Sequence, residues 1–225
     1  MTLRSTAITL AIVVVFFGGS MLITRGVPSA PVIIPAPAAD DALAAQSGQA
    51  TAVIAGGCFW GVQLVFEHVK GVISATDGYS GGSADTAHYE TVSAGGTGHA
   101  ESVKIVYDPS KITYGRLLQV FFAVAHDPTE LNYQGPDDGT NYRSVIFYQN
   151  EDQRRIAEAY IAQLDQAHVF HKPIVTQVVP LQAFYQAEAY HQDYATRHPD
   201  SMYIVMYDAP KLDKLKKTFP DLYVK

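Results

Sequence analysis

Cys58 is the only cysteine in 225 residues, and it stands in the run AVIAGGCFWGVQLVFEHV between Gly56-Gly57 and the only tryptophan, Trp60. One cysteine excludes an intramolecular disulfide and any C-x-x-C exchange motif, so the sulfur either works alone or packs as a small apolar group. Its neighbours favour work. The glycines let the backbone turn sharply and leave the sulfur uncovered, while Phe59 and Trp60 place apolar surface beside it. A reactive thiol of this kind could be an acyl-transfer nucleophile, a redox sensor or a catalyst of oxygen-atom transfer. Acyl transfer needs a histidine base, and eight histidines are available, but the papain-type C-G-S-C-W signature is absent. His88, His99 and His126 lack metal-ligand spacing, and His168 with His171 lacks completing ligands, so no metal is expected.

A strand and a helix must hold such a sulfur in place, and the flanking periodicity supplies both. TAVIA reads as a short buried strand, and Val62, Val65, Phe66 and Val69 recur at helical spacing until Gly71. Cys58 therefore falls at the N-terminus of a helix, where free N–H groups and the positive dipole end favour an anion. A depressed thiol pKa is the expectation. Further strands read at VISATDGYS, ESVKIVYDP, YRSVIFYQ and PIVTQVVPL. Thr113 and Asn150 are positioned to cap helices carrying Leu117, Leu118, Phe121 and Val124, and Ile156, Tyr160 and Leu164. Leu212, Leu215 and Phe219 suggest a closing helix. The order β-α-β-β-α-β predicts an α+β fold, a two-layer ferredoxin-like (split β-α-β) sandwich with additional C-terminal elements.

GGCFWG, GYSGG at 78–82, HYETV at 88–92, GTGHAESVKIVYDP at 96–109, HDPTELNYQGPDDGTNYRS at 126–144 and YHQDY at 190–194 follow in one order. This set resembles the A-type methionine sulfoxide reductases, the peptide-methionine (S)-S-oxide reductases, across roughly residues 51–200. The resemblance implies an enzyme that reduces methionine-S-sulfoxide, free or in proteins, to methionine. Cys58 would attack the sulfoxide sulfur and become a sulfenic acid, and Glu101 would supply the proton for the departing oxygen. Tyr89 and Tyr142 would hydrogen-bond that oxygen, Asp137 matches the family's active-site aspartate, and Phe59 with Trp60 would form the pocket for the substrate's methyl group. A buried, protonated carboxyl suits the acid's part at neutral pH.

Many relatives carry further cysteines that resolve the sulfenic acid; here Ser93 stands where some have one, and the C-terminal segment has none. Pro136 and Tyr133 replace a common asparagine and arginine. The implied enzyme uses no bound cofactor and is recycled by an external thiol, a small molecule or a redox protein. A non-catalytic module binding oxidised methionine segments and a cysteine hydrolase are the rival classes.

Composition frames the rest. Net charge is −6, and residues 1–50 contribute none of it because Arg4 and Arg25 offset Asp40 and Asp41. With no basic stripe, nucleic acid is not an expected partner. Residues 5–24 are uncharged and about long enough to cross a bilayer. The predicted organisation is a membrane anchor or signal at 1–25, a Pro/Ala-rich linker at 26–50 and a catalytic domain at 51–225. A monomer is expected, with its domain in the periplasm or another extracytoplasmic space.

Overall fold

The computed structural model describes residues 34–225. Strand β1 (Ala50–Ala55) leads through Cys58 into helix α1 (Phe59–Glu67), followed by β2 (Val72–Ser80), the short α2 (Tyr89–Ser93) and β3 (Ala100–Tyr107). Helix α3 (Tyr114–Val120) runs into a π-helical turn at Phe121–Ala125; a hairpin of β4 (Tyr133–Gln134) and β5 (Asp137–Asp138) then precedes β6 (Val145–Tyr148). After these come α4 (Glu151–Gln166), β7 (Gln177–Pro180), β8 (Tyr185–Gln186) and α5 (Tyr194–Arg197). A second π-helical turn, Ile204–Asp208, leads into α6 (Ala209–Thr218).

The sheet runs β7-β6-β1-β3-β2-β8. Its four inner strands have the split β-α-β order and are antiparallel throughout. β7 adds in parallel beside β6, and β8 pairs antiparallel with β2. Alternation along β1 divides two cores. Ala52 and Ile54 face α1, α3 and α4, whereas Val53 and Ala55 join Ala100, Val145 and Phe147 on the other face. Val179, Leu181 and Phe184 cover that second face. Buried on both sides from Ala52 to Ala55, β1 is apolar there without a polar alternate.

Capping residues set the helix starts. Thr113 accepts the Arg116 N–H at 3.2 Å and Asn150 accepts the Gln153 N–H at 2.9 Å. Helix α1 is apolar almost all round because it is buried on almost every side.

Two expectations concern the N-terminal part. The apolar run at 5–24 lies outside the described residues, and among those described no helix is long and apolar enough to cross a membrane. The Pro/Ala-rich stretch predicts an extended linker at 26–50 rather than packed structure, and residues 34–49 are an extended strap, but one packed onto the domain. Ile34 is buried in the main core, and the Tyr160 hydroxyl donates to the Pro35 carbonyl at 2.7 Å. Asp40 accepts from the Thr113 hydroxyl and from the Gly115 N–H, covering the start of α3. Ser47 and Gly48 donate to the Asp108 carboxylate at the far end of β3. Alanine and proline leave the strap no helix or strand of its own, so one buried isoleucine, the Pro35 carbonyl and the polar groups of Asp40, Ser47 and Gly48 do the binding.

Shortening the chain to begin at residue 50 exposes the Ile34 site and leaves Tyr160 and Gln163 without acceptors. The expected loss is about 3 kcal/mol or more, read as a lower urea midpoint than that of a chain beginning at residue 31. Equal midpoints would show that the strap contributes nothing.

Candidate active site

Cys58 is the residue immediately before α1, with φ −53° and ψ 124°. Gly57 precedes it at φ 89°, and a β-carbon there would stand 2.4 Å from the Gln134 side chain. Only glycine fits that conformation and that approach, which fixes the turn from β1 into the helix. Gln134 is held in turn by Asp127, whose N–H and carbonyl pair with its side-chain amide at 2.9 and 3.0 Å.

Glu101 lies near the start of β3, opposite Tyr79 of β2, and is 2% exposed. Its carboxyl accepts the backbone N–H of Phe59, the first residue of α1, at 3.1 Å. Burial drives its pKa from 4.5 to about 8, against the pull of that N–H and with a further push from Asp137. Glu101 therefore carries a proton at neutral pH.

The sulfur departs from expectation. Helix-terminus placement predicts a depressed thiol pKa, yet burial and the carboxyls of Glu101, Asp208 and Asp137 raise it well above the ordinary range. The Trp60 N–H acts the other way and is outweighed. One short helix end cannot hold a thiolate among three acids, so the resting sulfur is a thiol. Cys58 nonetheless keeps part of its surface open.

The hydroxyls of Tyr89 and Tyr142 face the same centre. Both are raised by burial first and then by Glu101, Cys58 and Asp137, and both remain donors. Glu188 places Tyr89: its carboxylate accepts the Tyr89 N–H at 3.0 Å and the Tyr79 hydroxyl at 2.9 Å. Arg143 places Tyr142 relative to Glu101. Its guanidinium donates to the carbonyls of Gly98 and His99, just before β3, and to that of Thr140 in the turn carrying Tyr142.

Asp137 sits half-buried on the β4–β5 hairpin and accepts from the Tyr203 hydroxyl. Burial raises its pKa, while Tyr203 and Lys211 lower it. Phe59 is buried beneath the site, with Tyr79 at 5.9 Å and His191 at 5.0 Å between ring centroids. Trp60 forms a wall. Its indole N–H donates to His191 Nδ1 at 3.2 Å, Tyr194 stacks on it at 3.8 Å, and Tyr203 meets it edge-on at 5.9 Å.

The sequence-predicted residues thus come together, with Phe59 under the pocket rather than on its open face. Sequence reasoning missed Tyr203, Asp208, Glu188 and the parts played by His191 and Tyr194. The YHQDY motif marked the last two without a role, while Tyr203 is one of 14 tyrosines and carries no local signal. Neither nearby imidazole is set as a base for Cys58. His126 uses Nδ1 toward the Phe121 carbonyl and Nε2 toward Ser144, with burial pulling its pKa down to about 3. His191 has its Nδ1 occupied by Trp60. Among the described residues, no three His, Cys, Asp or Glu side chains gather in metal-binding geometry.

Comparison with known proteins agrees with this geometry. The family described as "Peptide methionine sulfoxide reductase" matches residues 50–222. Over 179 residues the chain is 60% identical to "Peptide methionine sulfoxide reductase MsrA 2" of Mesorhizobium japonicum, covering 80% of this chain and 92% of that protein. The corresponding protein of Synechocystis is 48% identical over 191 residues, covering 84% and 89%. Among solved structures, methionine sulfoxide reductase A of Corynebacterium diphtheriae aligns with a TM-score of 0.58 at 34% identity, covering 76% of this chain and 85% of that one. Reduced Mxr1 of Saccharomyces cerevisiae aligns with a TM-score of 0.61 at 29% identity, covering 71% and 94%. With a buried protonated carboxyl beside a lone thiol and this extent of likeness, the chain belongs to the peptide methionine sulfoxide reductase family.

Proposed function

We propose that this enzyme of the methionine sulfoxide reductase family works through Cys58 as nucleophile and Glu101 as proton donor, on the S epimer of the sulfoxide. The observation that carries the reading is the Phe59 N–H hydrogen bond to a buried Glu101 that is neutral at pH 7, one residue from the sulfur. Cys58 Sγ forms a bond to the sulfoxide sulfur while the sulfoxide oxygen takes the Glu101 proton; the S–O bond breaks, the oxygen released bonds to Cys58 Sγ, and the S–S bond breaks to free the thioether. The thiol proton returns to Glu101, so no net proton is consumed. Two electrons pass from Cys58 to the substrate, leaving a thioether and a sulfenic acid.

Tyr89 and Tyr142 are placed to donate to the sulfoxide oxygen as negative charge builds on it. Trp60, with Tyr194 and Tyr203 behind it, offers a rigid apolar wall for the methyl group, which helps fix the sulfur's handedness. Asp137, oriented by Tyr203, faces the polar side of the pocket.

Recycling needs two equivalents of an external thiol. The first condenses with the sulfenic acid, releasing water and leaving a mixed disulfide on Cys58; the second displaces it and restores the thiol. The single cysteine supports this route because no internal resolver is present in the sequence. No bound cofactor enters the scheme. Oxidised proteins and free methionine sulfoxide are the proposed substrates, met by a single copy of the domain. The uncharged run between Arg4 and Arg25 supports membrane attachment through residues 5–24 and an extracytoplasmic location. A periplasm-dependent reporter fused after residue 50 reads a signal if that placement holds and none if it does not.

Turnover of each epimer of a methionine-sulfoxide peptide, with dithiothreitol as reductant, tests the chemistry. Consumption of the S epimer alone, lost in Cys58→Ser, is expected. Turnover surviving that substitution would remove Cys58 from the reaction.

Glu101 makes a separate prediction. Because its folded pKa is raised, the proton it donates is present at neutral pH and lost as pH rises through about 8. Single-turnover reduction should fall across that window. Glu101→Gln should lower the rate by about 10²- to 10⁴-fold and erase this alkaline limb. A limb unchanged in the variant assigns it to another group.

A further inference from the structure

The C-terminal segment brings to the site two charged residues that the scheme above leaves unused. Asp208, last residue of the second π-helical turn, is fully buried, and its Oδ1 accepts from Lys211 Nζ at 3.1 Å. Its other oxygen, Oδ2, has no partner. The Lys211 side chain is only 21% exposed.

Their position is set by Gly61. A β-carbon built there would lie 2.0 Å from Asp208 Oδ1 and 2.5 Å from Lys211 Nζ, so the pair occupies the space a side chain at 61 would fill. Gly61 lies in the first turn of α1, three residues beyond the Cys58 that precedes the helix, and the Asp208 carboxyl acts directly on the Cys58 thiol. The carboxylate therefore sits against the first turn of the helix that Cys58 opens, in protein rather than water. Ion pairs buried in this way add little to stability, and an oxygen without a hydrogen bond makes this one costly. Such a cost beside the only cysteine points to a use.

We propose that Asp208 and Lys211 form a positioning pair that fixes the charge near Cys58 and makes the lone cysteine selective for sulfoxide over peroxide. This rests on Cys58 being the nucleophile. Without an internal resolver, a resting thiolate is open to peroxide: Cys58–SH + H2O2 gives Cys58–SOH + H2O, and a second peroxide gives the sulfinic acid, which thiols do not reverse. A negative charge held near the sulfur disfavours the thiolate, the form that reacts. In the sulfoxide reaction the proton is dealt with in the pocket by Glu101, so the same charge restrains peroxide more than substrate. The other groups facing Cys58 are Glu101 from β3, Asp137 from β5, Tyr89 from α2, Tyr142 from the turn before β6, Tyr203 from the C-terminal segment and the Trp60 N–H. Burial and Asp137 raise the pKa of Asp208 itself, while Lys211, paired with its Oδ1 at 3.1 Å, pulls the other way.

The test is the pH profile of Cys58 alkylation by iodoacetamide and the rate of its sulfenylation by hydrogen peroxide, neither of which needs sulfoxide. Asp208→Asn keeps the shape but removes the negative charge and leaves Lys211 uncompensated. Alkylation and peroxide oxidation at neutral pH should rise about tenfold, with the alkylation profile moved to lower pH. The double variant D208N/K211M, which also removes the leftover cation, should lie between Asp208→Asn and the unaltered protein. Folded variants with profiles superimposed on the unaltered protein's would overturn the proposal while leaving the reductase reading intact. Failure of both variants to fold would overturn it too, by making the pair structural. Absence of sulfoxide turnover in the unaltered protein would instead reject the reductase reading itself.

Discussion

The first turn of α1 presents more free N–H groups than it has acceptors, and the site is arranged around how they are shared. The Phe59 N–H goes to Glu101, and the Trp60 N–H acts on the Cys58 sulfur. One helix end thereby fixes the acid and the nucleophile relative to each other, without either depending on a loop of its own. For that to work, β1 has to deliver the helix start against the beginning of β3. The antiparallel β1–β3 ladder, with Ile54 opposite Val103, does so. Arg143 then ties the approach to β3 to the turn bearing Tyr142, so that the hydroxyl side of the pocket follows the same frame.

Protonation follows from this closeness. Glu101, Asp137, Asp208 and Cys58 all have pKa values pushed up by burial. Where several acids share a space with little water, each ionisation makes the next harder. A nucleophile in such a place is quiet until a substrate changes its surroundings. The arrangement suits chemistry in which a proton is handed to a leaving oxygen and taken back from the attacking group.

Much of this was legible in the sequence. Helical and strand periodicities placed β1, α1, β2, β3 and β6 because each is buried on a regular face, and Thr113 and Asn150 marked helix starts by their capping chemistry. The position of Cys58 followed from the strand–helix junction, and Glu101, Tyr89, Asp137 and Tyr142 from motif resemblance. Less visible were elements held by their surroundings rather than by their own pattern. Helix α2 is five residues long and starts from Glu188, almost a hundred residues away. The β4–β5 hairpin and β8 have two residues per strand, too few for alternation to show. The thiol's state was misjudged because the helix end is local in sequence, whereas Asp208 and Asp137 reach Cys58 only through the fold. The strap at 34–49 was hidden for the same reason: Ile34, Asp40 and Ser47 mean little until Tyr160, Thr113 and Asp108 stand opposite them.

Trp60 has a practical consequence of another kind. As the only tryptophan in the chain, hydrogen-bonded to His191, stacked on Tyr194 and edge-on to Tyr203, it makes the protein's indole fluorescence a signal from one wall of the pocket. Emission wavelength and quenching then report polarity and contact beside the sulfur with no label attached. Occupancy of the pocket, the redox state of its cysteine and the arrival of a reductant can each be followed optically, in the unmodified enzyme and in real time.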